Sequence, residues 1–222
     1  MVWIEQLQST NWVEVGRIGL GAYLLGCCTT GYYLVRWRTG QDIRELGSGS
    51  VGARNVSRVL GLPGFVLTVL GDFSKGVLAV AAAQHFTVDQ KLVALAMLAV
   101  VAGHIWPAQL WLRGGKGMAT SLGALCMYDF HLAVAFALLF GIGLGLVRKT
   151  IVPGLLALAC LPFVSAYLAY NPAGHAYQSP EVLAVSILAS IVLIAHRKNV
   201  IEEVINFLQR RNFRPKHTPP EL

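Results

Sequence analysis

The chain has 222 residues, of which 55% are hydrophobic and 13% charged, with a mean hydropathy of +0.58. Soluble domains carry about 25% charged residues, so this composition excludes an ordinary soluble domain and indicates an all-α integral membrane protein. The net charge of +7 belongs to loops at a membrane surface, and without an RNP-like or zinc-finger pattern no nucleic-acid partner is expected.

Residues 1–15 are mixed, with Trp3 and Trp12 suited to a membrane interface. Glu5 and Glu14 stand where a signal peptide would have a basic region, so an uncleaved first anchor is expected. Gly16 to Trp37 is long and apolar enough to span, and ends at Arg36 and Arg38. A polar, Gly-rich segment covers 39–57. Val59 to Phe86 reads as a second span, interrupted by Gly71-Asp72-Phe73-Ser74-Lys75-Gly76. Lys91 to Leu112 is a third.

Met118 to Val147 is too long for one untilted helix and carries Tyr128-Asp129-Phe130-His131 near its middle. That pattern predicts two short helices with a turn between them. Ile151 to Tyr170 and Glu181 to Ala195 complete seven spans. The basic residues gather at 36–58, 112–117, 148–150 and the tail from His196, which seven spans place on one side. The expected orientation is therefore N-terminus outside and C-terminus cytoplasmic, in a multi-pass inner-membrane protein. One domain over 1–213 is expected, followed by a disordered Pro-rich tail over 214–222. No internal repeat of the kind common in transporters is visible. Cys27, Cys28, Cys126 and Cys160 lie in apolar runs without zinc-ligand spacing and read as buried small hydrophobes.

Three polar clusters fall on the basic side. The first is Arg113-Gly114-Gly115-Lys116-Gly117, between two apolar runs. Glycines let backbone N–H groups converge, and a loop opening a helix beside two cations suits a phosphate. The same residues suit a tight turn between membrane helices. A Walker A loop is excluded, because Leu110 stands at its first glycine position and Gly117 follows the lysine. The second cluster runs from Gly47 to Arg58, with Arg54 and Arg58 four apart on one helix face. A flexible, positively charged loop is the alternative. The third is His196-Arg197-Lys198-Asn199, where His196 and Asn199 share a face and His196 suits proton transfer near neutral pH. An ordinary basic helix end is the alternative. Inside the spans, Asp72 and Lys75 at i and i+3 are expected to pair. His104 reads as a structural hydrogen-bonder or a base, and Pro107 as a kink.

At these residues the chain resembles the bacterial membrane acyl-phosphate:glycerol-3-phosphate acyltransferases. Four segments match in order: Gly47–Arg58 (GSGNxGATNxxR-like), Asp72–Gly76 (DxxKG), Gly103–Thr120 (GHxxPxxxxFKGGKGxAT) and His196–Asn199 (HRxN). The resemblance implies a seven-helix fold with its site facing the cytoplasm. It implies transfer of a fatty acyl group from acyl phosphate to the sn-1 hydroxyl of glycerol 3-phosphate, with membrane lipid around; no Ser-His-Asp set or acidic metal cluster is visible in the sequence, so no acyl-enzyme, cofactor or metal is expected. It implies Ser48, Lys116, His196 and Asn199 as the catalytic set. Arg58, Asn55, Arg113, Gly114, Gly115, Gly117 and Thr150 are the expected substrate contacts, with the acyl phosphate seated on the Gly114–Gly117 amides. The chain departs from the pattern at Ser50 (usually Asn), at Arg54 (usually Thr) and at Thr150-Ile151-Val152-Pro153-Gly154, where a serine-containing stretch is usual. Those departures leave a non-catalytic or substrate-shifted lipid-phosphate binder as the alternative, with a transporter as a third reading.

Overall fold

The computed structural model describes residues 11–147, 151–170, 180–202 and 205. The expectations for Trp3, Thr150 and the 214–222 tail lie outside those residues. Among the described residues the chain is helical: α1 (Trp12–Cys27), α2 (Thr30–Thr39), α3 (Ala53–Phe86), α4 (Gln90–Ile105), α5 (Met118–Tyr128), α6 (Phe130–Val147), α7 (Ile151–Leu168) and α8 (Pro180–Ala195). Five stretches are long and apolar enough to cross a membrane: Trp12–Thr39, Ala53–Phe86, Gln90–Leu110, Phe130–Val147 and Ile151–Leu168. Met118–Tyr128 and Pro180–Ala195 are apolar but shorter.

Side-chain caps mark several boundaries. The Asn11 side chain accepts from the Glu14 amide at the start of α1, and Asp89 accepts from the Lys91 amide at the start of α4. Asp129 divides the long 118–147 segment as expected. Its backbone is extended, and its carboxylate accepts from the His131 and Leu132 amides at 2.8 and 3.3 Å, which opens α6.

The first two spans differ from expectation. The Trp12–Thr39 stretch breaks at Cys28 and Thr29. In α3 the polar Gly71–Gly76 segment is helical throughout. The actual break is at Gly61, with φ +66° and ψ −160°. Pro63 has no N–H to give, its ring opposes the carbonyl four residues earlier, and it disfavours helical backbone at Leu62. Gly61 absorbs the change in a region that L side chains rarely adopt.

Helix α4 is the centre of the bundle, packed on α1, α3, α5 and α8 with Val93, Met97, Val100 and Val101 fully buried. Leu138, Ile142, Leu146 and Phe163 face outward, as lipid-facing side chains do. Cys28 and Cys160 are exposed, Cys126 is half-buried and only Cys27 is buried, so the cysteines are not uniformly core residues.

Two crossings are backbone against backbone. A Cβ on Gly26 of α1 would overlap the Val100 carbonyl, and one on Gly103 of α4 would overlap the Tyr23 carbonyl. A Cβ on Gly76 of α3 would meet the Thr120 carbonyl, and one on Gly123 of α5 the Phe73 carbonyl. Small residues permit this approach where lipid supplies no hydrophobic drive between helices. Gly123→Ala is expected to destabilise the protein by about 1–3 kcal/mol, the range for overpacking a tight contact. Thermal unfolding in detergent measures it, and an unchanged midpoint would contradict the α3–α5 crossing.

Candidate active site

The site is built on a buried charged cluster. Asp72 and Lys75 on α3 form an ion pair at 3.0 Å, as their spacing predicts. His104 on α4 joins them, with Nδ1 2.8 Å from Lys75 Nζ and 3.5 Å from Asp72 Oδ1. All three side chains are buried. The cluster resolves the break between α1 and α2. A broken helix inside a membrane leaves carbonyls that water cannot reach, each costing several kcal/mol if unpaired. Lys75 Nζ donates to the Gly26 and Cys28 carbonyls, both at 3.0 Å. Gln109 donates to the Cys27 carbonyl between them. On the other side of the break, Asp72 Oδ1 accepts from the Thr30 amide at 3.4 Å.

Helix α4 ends at Ile105, seven residues earlier than the expected span end at Leu112. Pro107 does not kink a membrane helix. It starts the short 3-10 turn Ala108–Leu110, and its carbonyl accepts from the Leu110 and Leu112 amides. The chain then doubles back, with Trp111 and Leu112 both at positive φ. The Gly114 amide donates to the Ile105 carbonyl at 3.1 Å and the Gly115 amide to the His104 carbonyl at 3.0 Å. Both therefore satisfy the open end of α4, and the expected anion seat of four amides from Gly114 to Gly117 is corrected on this point. Among the described residues the Lys116 and Gly117 amides have no protein acceptor. Gly117, at φ +84°, turns the chain into α5, whose first-turn amides lack intrahelical partners. The anion-binding character sits at Lys116, Gly117 and the start of α5.

The Gly47–Arg58 segment is a turn entering a helix, as its pattern predicts, with α3 starting at Ala53. Asn55 is buried, and its amide is fully engaged. Oδ1 accepts from the Ser48 amide at 2.9 Å, and Nδ2 faces the Ile43, Leu46 and Ser50 carbonyls at 3.2, 2.8 and 3.0 Å. Asn55 thus shapes the loop that presents Ser48, its side-chain amide being engaged within that loop. Ser50 also serves the turn, its hydroxyl accepting from the Gly52 amide. Ser48 and Arg58 are exposed, and the Arg58 side chain lies against Gly47. Arg44 ties this loop to the glycine loop by donating to the Leu110 carbonyl at 2.8 Å. Its pairing with Asp42 holds that carboxyl below the usual range.

The third cluster closes on the glycine loop. Lys116 Nζ donates to Asn199 Oδ1. Burial lowers the Lys116 pKa; the Glu202 carboxylate opposes this, while the Arg54 and Lys198 charges add to it. His196 is buried at the end of α8, with Nδ1 2.9 Å from the Val192 carbonyl. A carbonyl only accepts, so Nδ1 carries the proton and Nε2 holds a free lone pair. Burial lowers the His196 pKa below its ordinary 6.5, with the Lys116 charge acting in the same direction and the Val192 hydrogen bond against it. The ring is held in the neutral form that accepts a proton. Arg113 is exposed at the edge.

Fold and site together describe a polytopic membrane protein with a cluster of cations and open amides at the end of α4 and the start of α5. A family model described as glycerol-3-phosphate acyltransferase matches residues 17–206. A glycerol-3-phosphate acyltransferase 1 from Desulfitobacterium hafniense (strain Y51) is 46% identical over 202 residues, covering 89% of this chain and 96% of that protein. A glycerol-3-phosphate acyltransferase from Clostridioides difficile (strain 630) is 35% identical over 199 residues, covering 87% and 93%. The crystal structure of PlsY, an integral membrane glycerol 3-phosphate acyltransferase in its glycerol 3-phosphate form, superposes with a TM-score of 0.75 at 28% identity, covering 86% and 92%. Its lysophosphatidic acid form gives 0.73 at 26% identity, with the same coverage. The chain belongs to the glycerol-3-phosphate acyltransferase family and is an integral membrane acyltransferase of phospholipid synthesis.

Sequence reasoning missed Arg44 and Gln109, which join the loops, and it underused Arg54, whose charge reaches Lys116. No local spacing marks the first two, because each acts on a carbonyl more than 60 positions away. Asn55→Ala removes the clamp on the Ser48 amide and leaves buried carbonyls unpaired, at about 1–3 kcal/mol. Hydrogen exchange at Ser48 is expected to accelerate in that variant, and unchanged protection would contradict the clamp.

Proposed function

We propose that the protein transfers a fatty acyl group from acyl phosphate to the sn-1 hydroxyl of glycerol 3-phosphate, giving 1-acyl-glycerol 3-phosphate and inorganic phosphate. The observation that carries this is Lys116 beside the open amides before α5, with Asn199 on its ammonium and the neutral His196 ring within reach of its charge. The substrates named for the PlsY structures supply the acceptor and product chemistry.

The acyl phosphate places its phosphate against Lys116 Nζ, the Lys116 and Gly117 amides and the first turn of α5. Glycerol 3-phosphate sits on the Ser48 side with its phosphate on Arg58, and Asn199 holds Lys116 in line. The sn-1 oxygen attacks the acyl carbonyl carbon and its proton passes to His196 Nε2. The bond between carbonyl carbon and phosphate oxygen breaks, and the electron pair leaves with inorganic phosphate. Cations and amides stabilise that departing charge, and holding both substrates together removes much of the entropic barrier. Arg113 adds positive potential at the rim. Thr150 is assigned a hydroxyl contact, in place of the family's serine. No cofactor enters this scheme.

The same reading places seven helical passes in the inner membrane, with Met118–Tyr128 and Pro180–Ala195 as the two short ones, in one domain over 1–213. Lys116 feels the charges of Arg54, Lys198 and Glu202, which supports a meeting of the first, second and third polar clusters around it at one end of the bundle. The excess of basic residues there favours the cytoplasmic side, with the N-terminus outside. Single cysteines at Lys91 and Lys198, in a cysteine-free background, are expected to label from opposite sides of intact cells. Labelling from the same side would overturn the orientation.

Purified protein given acyl phosphate and glycerol 3-phosphate is expected to release phosphate, and Lys116→Ala to abolish the release. His196→Asn is expected to lower kcat by roughly 10²–10⁴-fold, the usual worth of a general base. Because His196 is depressed, its neutral form persists at pH 7 and is lost only below pH 6.5, so the acid limb of wild-type kcat lies below that value. Full activity in the Lys116→Ala protein would refute the assignment.

A further inference from the structure

The reaction scheme leaves one buried titratable cluster without a chemical task. Lys75 has four partners: Asp72, two α1 carbonyls and His104. The first three are enough for its three N–H bonds. The His104 ring is therefore not required to satisfy Lys75, and its position has another consequence. A Cβ on Gly115 would overlap Nε2, Cε1 and Cδ2 of His104. The ring edge thus lies directly under the Gly115 backbone, while the His104 carbonyl receives the Gly115 amide. One residue touches Gly115 with both its main chain and its side chain. Gly115 immediately precedes Lys116, whose ammonium meets Asn199.

We propose that His104 is a positioning residue: its imidazole is the platform that sets the height of the glycine loop, and so the place of Lys116 against the donor phosphate. The far side of the ring faces the ion pair, with Nδ1 3.5 Å from Asp72 Oδ1 and 2.8 Å from Lys75 Nζ, so the platform is anchored to α3 and, through Lys75, to the α1–α2 break. Gly115 is not at positive φ, so its backbone suits an alanine. The obstacle to a side chain at 115 is the imidazole itself. This inference rests on the acyl-phosphate reading of the loop.

His104→Asn keeps a polar group beside Asp72 and Lys75, close to the Nδ1 position, and removes the part of the ring beneath Gly115. The test compares the full-length wild type, His104→Asn, Gly115→Ala and the double variant. Each is assayed for KM toward acyl phosphate, KM toward glycerol 3-phosphate, kcat and thermal unfolding. His104→Asn and Gly115→Ala are each expected to raise the acyl-phosphate KM by about tenfold, within the roughly 100-fold that an ångström of misplacement costs. The glycerol 3-phosphate KM and the unfolding midpoint are expected to stay near wild type. In the double variant the methyl occupies space the ring has left, so its KM is expected to be no worse than that of His104→Asn alone. Additive losses, or equal losses toward both substrates, would overturn the proposal. Wild-type protein that fails to use acyl phosphate would count against the functional reading alone. Hydrogen exchange at Gly114 and Gly115, whose amides donate to the Ile105 and His104 carbonyls, in the same four proteins then decides the platform without turnover. Faster exchange in His104→Asn supports it, and unchanged exchange refutes it.

Discussion

The structure depends on how Lys75 is satisfied inside a membrane. An ammonium at that depth is expensive unless it is paired, and breaking a buried pair typically costs about 3–5 kcal/mol. Here the pairing is with Asp72 on the same helix, with the terminal carbonyls of α1 and with the imidazole of α4. Two problems cancel each other. The helix break at Cys28 leaves acceptors without donors, and a lysine in a span needs acceptors. Each answers the other, and the result joins α1, α2, α3 and α4 at one point.

That junction lies beneath the functional end of the bundle. From it, His104 supports the glycine loop, Gln109 returns to the α1 carbonyls, and Arg44 draws the Ser48 loop onto the glycine loop. The loops between membrane helices are thereby held by hydrogen bonds from side chains to backbone carbonyls, not by packing alone. Such contacts suit a site that must hold two phosphorylated molecules at fixed separation, because they are directional. The glycine crossings at Gly26–Gly103 and Gly76–Gly123 bring the helix backbones into direct contact around this junction.

Much of this was legible in the chain. The Asp129 turn, the Asp72–Lys75 pair, the helix opening after Gly117 and the entry of the Gly47–Arg58 loop into a helix all follow from short-range patterns. Each is decided within a few residues: a polar break in an apolar run, an i, i+3 pair, glycines before an apolar stretch. The partners of Asn55, Gly114 and Gly115 were not legible, for the opposite reason. Their types suit ligand contact, but Asn55 is consumed by its own loop and the two glycine amides by the end of α4. Residue type does not reveal whether a donor is already engaged. The α1–α2 break was missed because Gly26 to Gly31 continues an apolar run, and the donors that stabilise it come from 47 or more positions away.

Alone, the sequence determined the class of the protein, most of its helical segments and the residue types available for phosphate chemistry. Hydropathy and charge are sums over short windows, and the bilayer converts them directly into helices and loops. Only the tertiary structure decided which amides remain open, which nitrogen of His196 carries the proton, and that His104 sits beneath Gly115. Those are outcomes of competition for hydrogen-bond partners among distant segments. They exist only once α1, α3, α4 and α8 are packed together.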